Sequence, residues 1–184
     1  MAARQAKERL GRLEAAIIEL TPQWSLGQMA EAMQAMRGVD IISASIFLAE
    51  VGDLSRFANP SQLMAYLGLT PSERSTGDSV KRGPITKAGN TRARRMLVES
   101  AWAYRFPPRI SERQRCKLSK APRAVREIAW KAQQRLSKRY RALTAKGKKS
   151  TVAITAVARE LAGFLWAVGR EMTAAAGQPV RVAA

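Results

Sequence analysis

Apolar residues recur at helical spacing along almost the whole chain. Leu10, Leu13, Ile17, Leu20 and Trp24 follow one another at intervals of 3, 4, 3 and 4, which is the seam of a short coiled coil or of an ordinary packing helix. Residues 36–53 predict a short helix, a tight turn at Gly38 to Asp40 and a second helix carrying Ile42, Ile46, Ala49 and Glu50. Asn59-Pro60 marks a helix start, with Asn as the cap and Pro in the first position. That helix runs through Leu63, Met64 and Leu67 to Gly68. Asn90 caps the next, which carries Ala93, Met96, Leu97, Ser100, Ala101 and Tyr104 and stops at Pro107-Pro108. Residues 106–121 read as a basic, irregular insertion. Pro122 opens a long helix with Val125, Ala129, Ala132, Leu136 and Leu143 on one face and Lys and Arg on the other. Ser150 caps a final helix buried through Ile154, Val157, Leu161, Leu165 and Val168.

The fold class expected is therefore all-α. Residues 1–25 form a linker or coiled-coil-like helix, 26–174 one helical domain, and 175–184 a disordered tail. No internal repeat is visible. No apolar run approaches the roughly 20 residues that span a membrane, since Arg159 and Glu160 interrupt the last helix. The charged N-terminus has no signal-peptide core. Cys116 has no second cysteine to pair with, so a reducing cytoplasmic location is expected.

One segment departs from the helical pattern. Residues 66–95, YLGLTPSERSTGDSVKRGPITKAGNTRARR, are polar and punctuated by Gly68, Pro71, Gly77, Gly83, Pro84 and Gly89, so a loop is expected. Hydroxyls gather in it at Ser72, Ser75, Thr76 and Ser79, and cations follow at Lys81, Arg82, Lys87, Arg92, Arg94 and Arg95. Hydroxyls beside a phosphate-binding surface suit phosphate positioning or phosphoryl transfer.

Charge sharpens that picture. The chain has 32 Lys+Arg against 14 Asp+Glu, a net of +18. Residues 81–149 hold 22 of the cations and 3 of the carboxylates, 22 − 3 = +19, so one contiguous region carries the whole surplus. Such a footprint suits DNA or another polyanion, with a merely solvated basic face as the bland alternative. The count of 0 histidines excludes Ser-His-Asp and Cys-His catalysis and histidine metal ligands within this chain.

The run from Arg37 to Arg105 resembles the C-terminal domain of DEDD-type insertion-sequence transposases, the Transposase 20 domain. The shared pattern is the hairpin at Gly38, then Gly52-Asp53 with Phe57, then Tyr66-Leu-Gly-Leu-x-Pro-Ser-Glu. A Ser/Thr-Gly, Gly83, Ile85-Thr-Lys-x-Gly-Asn and the arginine helix ending in AWAYR complete it. The resemblance implies DNA transposition and recombination by a serine nucleophile guided by a structured RNA. It implies a resolvase-like N-terminal domain with four acidic metal ligands, and a coiled coil through which the chain meets another copy or a partner chain. On this reading the chain begins at the linker and has no cofactor of its own. Mg2+ belongs to the resolvase-like domain, and the chain alone is expected to be inactive, as a fragment, a split product or a decayed copy.

The resemblance implies that the nucleophile is Ser75, or Thr76 if it is the residue directly before glycine, with Ser72 a distant third. Arg74, Lys81 and Arg82 would stabilise charge on the phosphate. Lys87, Gly89, Asn90 and Arg92 would clamp a backbone phosphate at a helix start, with Arg94 and Arg95 behind them. Gly38 would present amides to DNA if the hairpin is a helix-hairpin-helix motif, and would simply turn the chain if it is a plain αα-hairpin. The competing class is a non-catalytic helix-hairpin-helix nucleic-acid-binding protein. No membrane partner is expected.

Overall fold

The computed structural model describes residues 1–76 and 79–177, with side chains at all of these except 74–76 and 79–82. It is mostly helical, as the spacing predicts. In order come α1 (Ala2–Leu20), α2 (Gly27–Met33), α3 (Ile41–Val51), α4 (Pro60–Tyr66), β1 (Pro71–Thr76), β2 (Ser79–Ile85), α5 (Thr91–Ala101), α6 (Glu112–Lys120), α7 (Arg123–Ala145) and α8 (Ser150–Ala175). Short 3-10 turns occupy Thr21–Gln23, Leu54–Arg56 and Trp102–Arg105.

The helix starts follow from local chemistry. Asp40, Asn59, Asn90 and Ser111 each accept a hydrogen bond from the amide three residues on, at 2.8, 3.1, 2.9 and 3.3 Å. Each thereby satisfies one donor that the first helical turn leaves without a partner. Ser150 is the first helical residue of α8, and Lys149 precedes it as the cap position.

The core is built around α8, which packs against α7, α5, α4 and α2. Ile154, Val157, Leu161, Leu165 and Val168 are all fully buried. Val125, Ala129, Ala132 and Leu136 of α7 and Ala93, Met96 and Leu97 of α5 meet them. α8 is long and apolar enough to cross a membrane. Half of its apolar stretch is instead covered by the other helices, and Glu160 on its flank pairs with Arg135 and Arg139 of α7 at 2.8 and 3.3 Å.

The structure differs from the sequence reading in two elements. The segment expected to be a loop contains an antiparallel two-stranded ribbon pairing Pro71 with Ile85, Glu73 with Arg82, Arg74 with Lys81, Ser75 with Val80 and Thr76 with Ser79. A register shift falls between Pro71 and Glu73. The two strands pair only with each other and are six and seven residues long, and a sequence of hydroxyls, cations, glycine and proline over so short a stretch carries no period-two apolar signal. The expected irregular insertion contains α6, started by the Ser111 cap. Its residues are all exposed or half-buried, so it carries no apolar stripe. Of the expected tail, residues 178–184 lie outside the described residues, as does Gly77.

Candidate functional site

The ribbon is fastened at its base by a backbone-to-backbone contact. Gly68 has φ +64, and a Cβ there would lie 2.7 Å from the Gly89 nitrogen. A Cβ on Gly89 would lie 1.9 Å from the Tyr66 carbonyl oxygen. Only glycine at both positions lets the chain leaving α4 touch the chain entering α5. The amides of Thr86 and Lys87 then donate to the carbonyls of Thr70 and Gly68, at 2.9 and 3.1 Å.

Arg94 locks this crossing. Its Nη1 donates to the carbonyls of Leu67, Gly89 and Lys87 at 3.1, 3.2 and 3.3 Å, and its Nη2 reaches the Thr91 hydroxyl at 3.3 Å. The guanidinium proposed from sequence as a phosphate contact is thus engaged in holding the ribbon's base. Lys87 sits at the crossing with φ +57, the one non-glycine residue with positive φ among those described. Its side chain is exposed. A non-glycine residue held in the left-handed region costs on the order of 1–3 kcal/mol and persists where its surroundings over-determine it.

Ser75 and Thr76 close β1 at the far end of the ribbon, and their strand partners Val80 and Ser79 open β2. Arg74, Lys81 and Arg82 lie on the same paired segment and, like Ser75 and Thr76, are located by backbone pairing alone. Ser72 sits lower, and its hydroxyl donates to the Pro84 carbonyl at 3.0 Å, across the ribbon.

Sequence reasoning missed Glu50. Its side chain, 23% exposed, reaches from the last turn of α3 to the start of α5. One carboxylate oxygen accepts a hydrogen bond from the Asn90 amide at 2.6 Å, and the other lies 3.4 Å from Arg92 Nη1. Asn90 therefore bridges α3 to its own helix, because its carbonyl oxygen caps the Ala93 amide. The available signal was a carboxylate in a helix otherwise made of apolar and small residues. Arg92 is 84% exposed on its side chain despite this contact, and Arg95 is exposed as well.

Gly38 lies at the other end of α5. With φ +81 it turns the chain between α2 and α3, and a Cβ would lie 2.3 Å from the Ser100 carbonyl oxygen. α6 lies across this turn: Lys117 Nζ donates to the Val39 carbonyl at 3.1 Å and Gln114 to the Ala35 carbonyl at 2.5 Å. Partial burial, followed by the nearby Arg113, lowers the Lys117 pKa from its ordinary value, with Asp40 opposing the shift. An open cavity of about 210 Å³ borders the turn, lined by Gly38, Val39, Asp40, Ser111, Arg113, Gln114 and Lys117.

Among the described residues, no group of three or more His, Cys, Asp or Glu side chains is arranged to hold a metal ion.

The chain is similar to several proteins named as transposases. It is 60% identical over 159 residues to the putative transposase y4qE of Sinorhizobium fredii, a match covering 86% of this chain and 41% of that protein. It is 36% identical over 104 residues to a probable family 20 transposase of Pseudomonas aeruginosa, covering 54% and 31% respectively. It is 30% identical over 148 residues to the transposase for insertion sequence element IS1533 of Leptospira borgpetersenii, covering 79% and 42%. The matched stretches make up less than half of each relative. Residues 30–115, which run from within α2 to within α6 and contain the whole ribbon and its base, match the model of the Transposase IS116/IS110/IS902 family.

Proposed function

We propose that this chain is the DNA-binding, serine-bearing part of an insertion-sequence transposase, with Ser75 as the nucleophile. The Ser75 hydroxyl attacks a DNA phosphorus and its proton leaves to solvent or a base. The bond from phosphorus to the 3′-oxygen breaks, and that oxygen takes a proton to become a free 3′-hydroxyl. The protein is left joined to the 5′-phosphate through a phosphodiester. The partners are DNA, a structured guide RNA, and a second copy or partner chain at α1.

One observation carries this reading. The strand bearing Ser75 and Thr76 belongs to a ribbon whose base is fastened to the start of α5 by the Gly68–Gly89 contact and by Arg94. The register sets Arg74, Lys81 and Arg82 within a few residues of Ser75 on the paired strands, and a fastened base supports that end, which suits a reacting phosphate because catalysis by positioning requires the nucleophile and the charge-stabilising groups on one support. A flexible loop would offer no such support.

The test is a denaturant-stable protein–DNA adduct, assayed with a resolvase-like domain supplied in trans. Adduct is expected from the unaltered chain and from Thr76→Ala, and none from Ser75→Ala. Adduct that survives Ser75→Ala and vanishes with Thr76→Ala makes Thr76 the nucleophile. Adduct that depends on neither hydroxyl leaves the ribbon as a binding element and favours the non-catalytic class.

A further inference from the structure

A second surface, at the opposite end of α5 from the ribbon, carries exposed aromatic rings among arginines. α5 is 11 residues long, so its two ends lie about 16 Å apart. Beyond its C-terminal end the chain passes through Trp102–Arg105 and then lies along α7. The Ser137 hydroxyl donates to the Phe106 carbonyl at 2.8 Å, and the Arg109 amide donates to Gln133 Oε1 at 3.1 Å. These bonds run the segment antiparallel to α7. They account for the burial of Ser137 and Gln133, each only 1% exposed.

Three large apolar side chains stay uncovered along this seam: Phe106 at 49%, Ile110 at 40% and Trp130 at 40%. Trp130 lies one turn before Gln133 and two turns before Ser137. Seven residues of helix place it about 10 Å along the axis from the Phe106 anchor, roughly three base steps of a stacked strand. Arginines flank both rings. Arg105 stands over Phe106 at 4.6 Å, and Arg141 Nε reaches the Ser137 carbonyl at 3.5 Å. Arg109 is exposed beside the seam, and Arg126 is exposed one turn before Trp130. The nearby carboxylate Glu127 is paired with Arg123 at 3.0 Å.

Exposed rings alone would suit an apolar partner, and arginines alone would suit any duplex backbone. Together they match a strand whose bases are free to stack while its phosphates are neutralised. We propose that the seam between residues 105–110 and α7 binds single-stranded DNA, with Phe106 and Trp130 as stacking platforms and Arg105, Arg109, Arg126 and Arg141 as backbone contacts. The occupant is taken as DNA because DNA is the substrate of the reaction proposed at Ser75. The inference rests on the proposed reaction for that choice, and on nothing else about the ribbon.

Fluorescence anisotropy would follow the full chain binding a labelled mixed-sequence DNA strand, the same strand as a duplex, and the same sequence as RNA. Trp130→Ala and Phe106→Ala are each expected to weaken single-strand binding by roughly 5-fold or more, the scale of one lost base stack. Duplex affinity should hold, and Trp130→Phe should recover most of the single-strand affinity. Equal losses on strand and duplex, or no loss on either, would overturn the stacking role. Tighter, ring-dependent binding of the RNA strand would overturn the choice of DNA. Absence of all salt-sensitive DNA binding would instead sink the broader proposed function, so the two failures are distinguishable.

Discussion

The Asn90 side chain donates to the Glu50 carboxylate at 2.6 Å while its own carbonyl oxygen caps α5. One amide thus ties the end of α3 to the start of the helix beneath the ribbon. Asn90→Ala should cost about 1–2 kcal/mol, the upper range for a lost cap, because Glu50 also loses its hydrogen bond. Asn90→Asp should fare no better, since it retains a capping oxygen but sets a second carboxylate against Glu50. Urea denaturation of both variants checks this. An aspartate variant as stable as the parent would show that the Glu50 contact contributes nothing.

The cations near the ribbon should make DNA binding steeply salt-dependent. If about 6 phosphates are neutralised, the slope of log affinity against log salt is about −5 on duplex DNA. Lys87→Gln and Arg92→Gln should each reduce the slope by about 0.9 and weaken binding alike on unrelated sequences. Arg94→Gln should act differently, because Arg94 holds Leu67, Lys87 and Gly89. Its effect should appear in thermal stability as well as in affinity.

α1 contributes no buried residue, and Leu10, Leu13 and Leu20 are 55, 56 and 60% exposed. An apolar seam left open on a 19-residue helix is suited to a second helix. Leu10→Glu together with Leu13→Glu should lower the oligomeric state seen by sedimentation velocity and leave the melting temperature of the remaining domain unchanged. Truncation within α1 should stop short of Thr21, which is buried and packs its hydroxyl against Ser45 at 3.4 Å. An unchanged sedimentation coefficient in the double variant would remove α1 as a partner surface.

Tyr104 is fully buried and its hydroxyl has no hydrogen-bond partner among the described residues. Burial pushes the phenol well above its ordinary value, against smaller opposing effects of Arg37. A pKa raised on folding means the unfolded chain gives up its proton first. The contribution of Tyr104 is therefore intact below about pH 10 and lost progressively above it. Tyr104→Phe should flatten this alkaline loss. At neutral pH it should be neutral or stabilising by about 1 kcal/mol, since it removes a desolvated group with no partner to strand. Chemical denaturation at neutral and alkaline pH would decide, and a destabilised phenylalanine variant would indicate a bound partner for the hydroxyl.

The helices and much of the core were legible in the sequence because burial imposes the 3.6-residue period directly on composition. Val125, Ala129 and Leu136 line the face that the spacing marks, and Ile154 to Val168 do the same in α8. Caps at Asn59 and Asn90 were readable because a cap is a bond between near neighbours in the chain. The ribbon was not legible, since its short strands are mostly hydroxyls, cations, glycine and proline and show no apolar alternation. The role of Arg94 was hidden for a related reason. Next to Arg92 and Arg95 it is one more cation, and only the crossing of Gly68 over Gly89 brings three carbonyls around its guanidinium. Glu50, 40 residues before Asn90, became part of the site only when α3 packed against α5. The sequence determined helical periods, caps and a basic region. Tertiary packing decided which cations remain free for a phosphate, because that depends on which carbonyls and carboxylates folding brings within hydrogen-bonding distance.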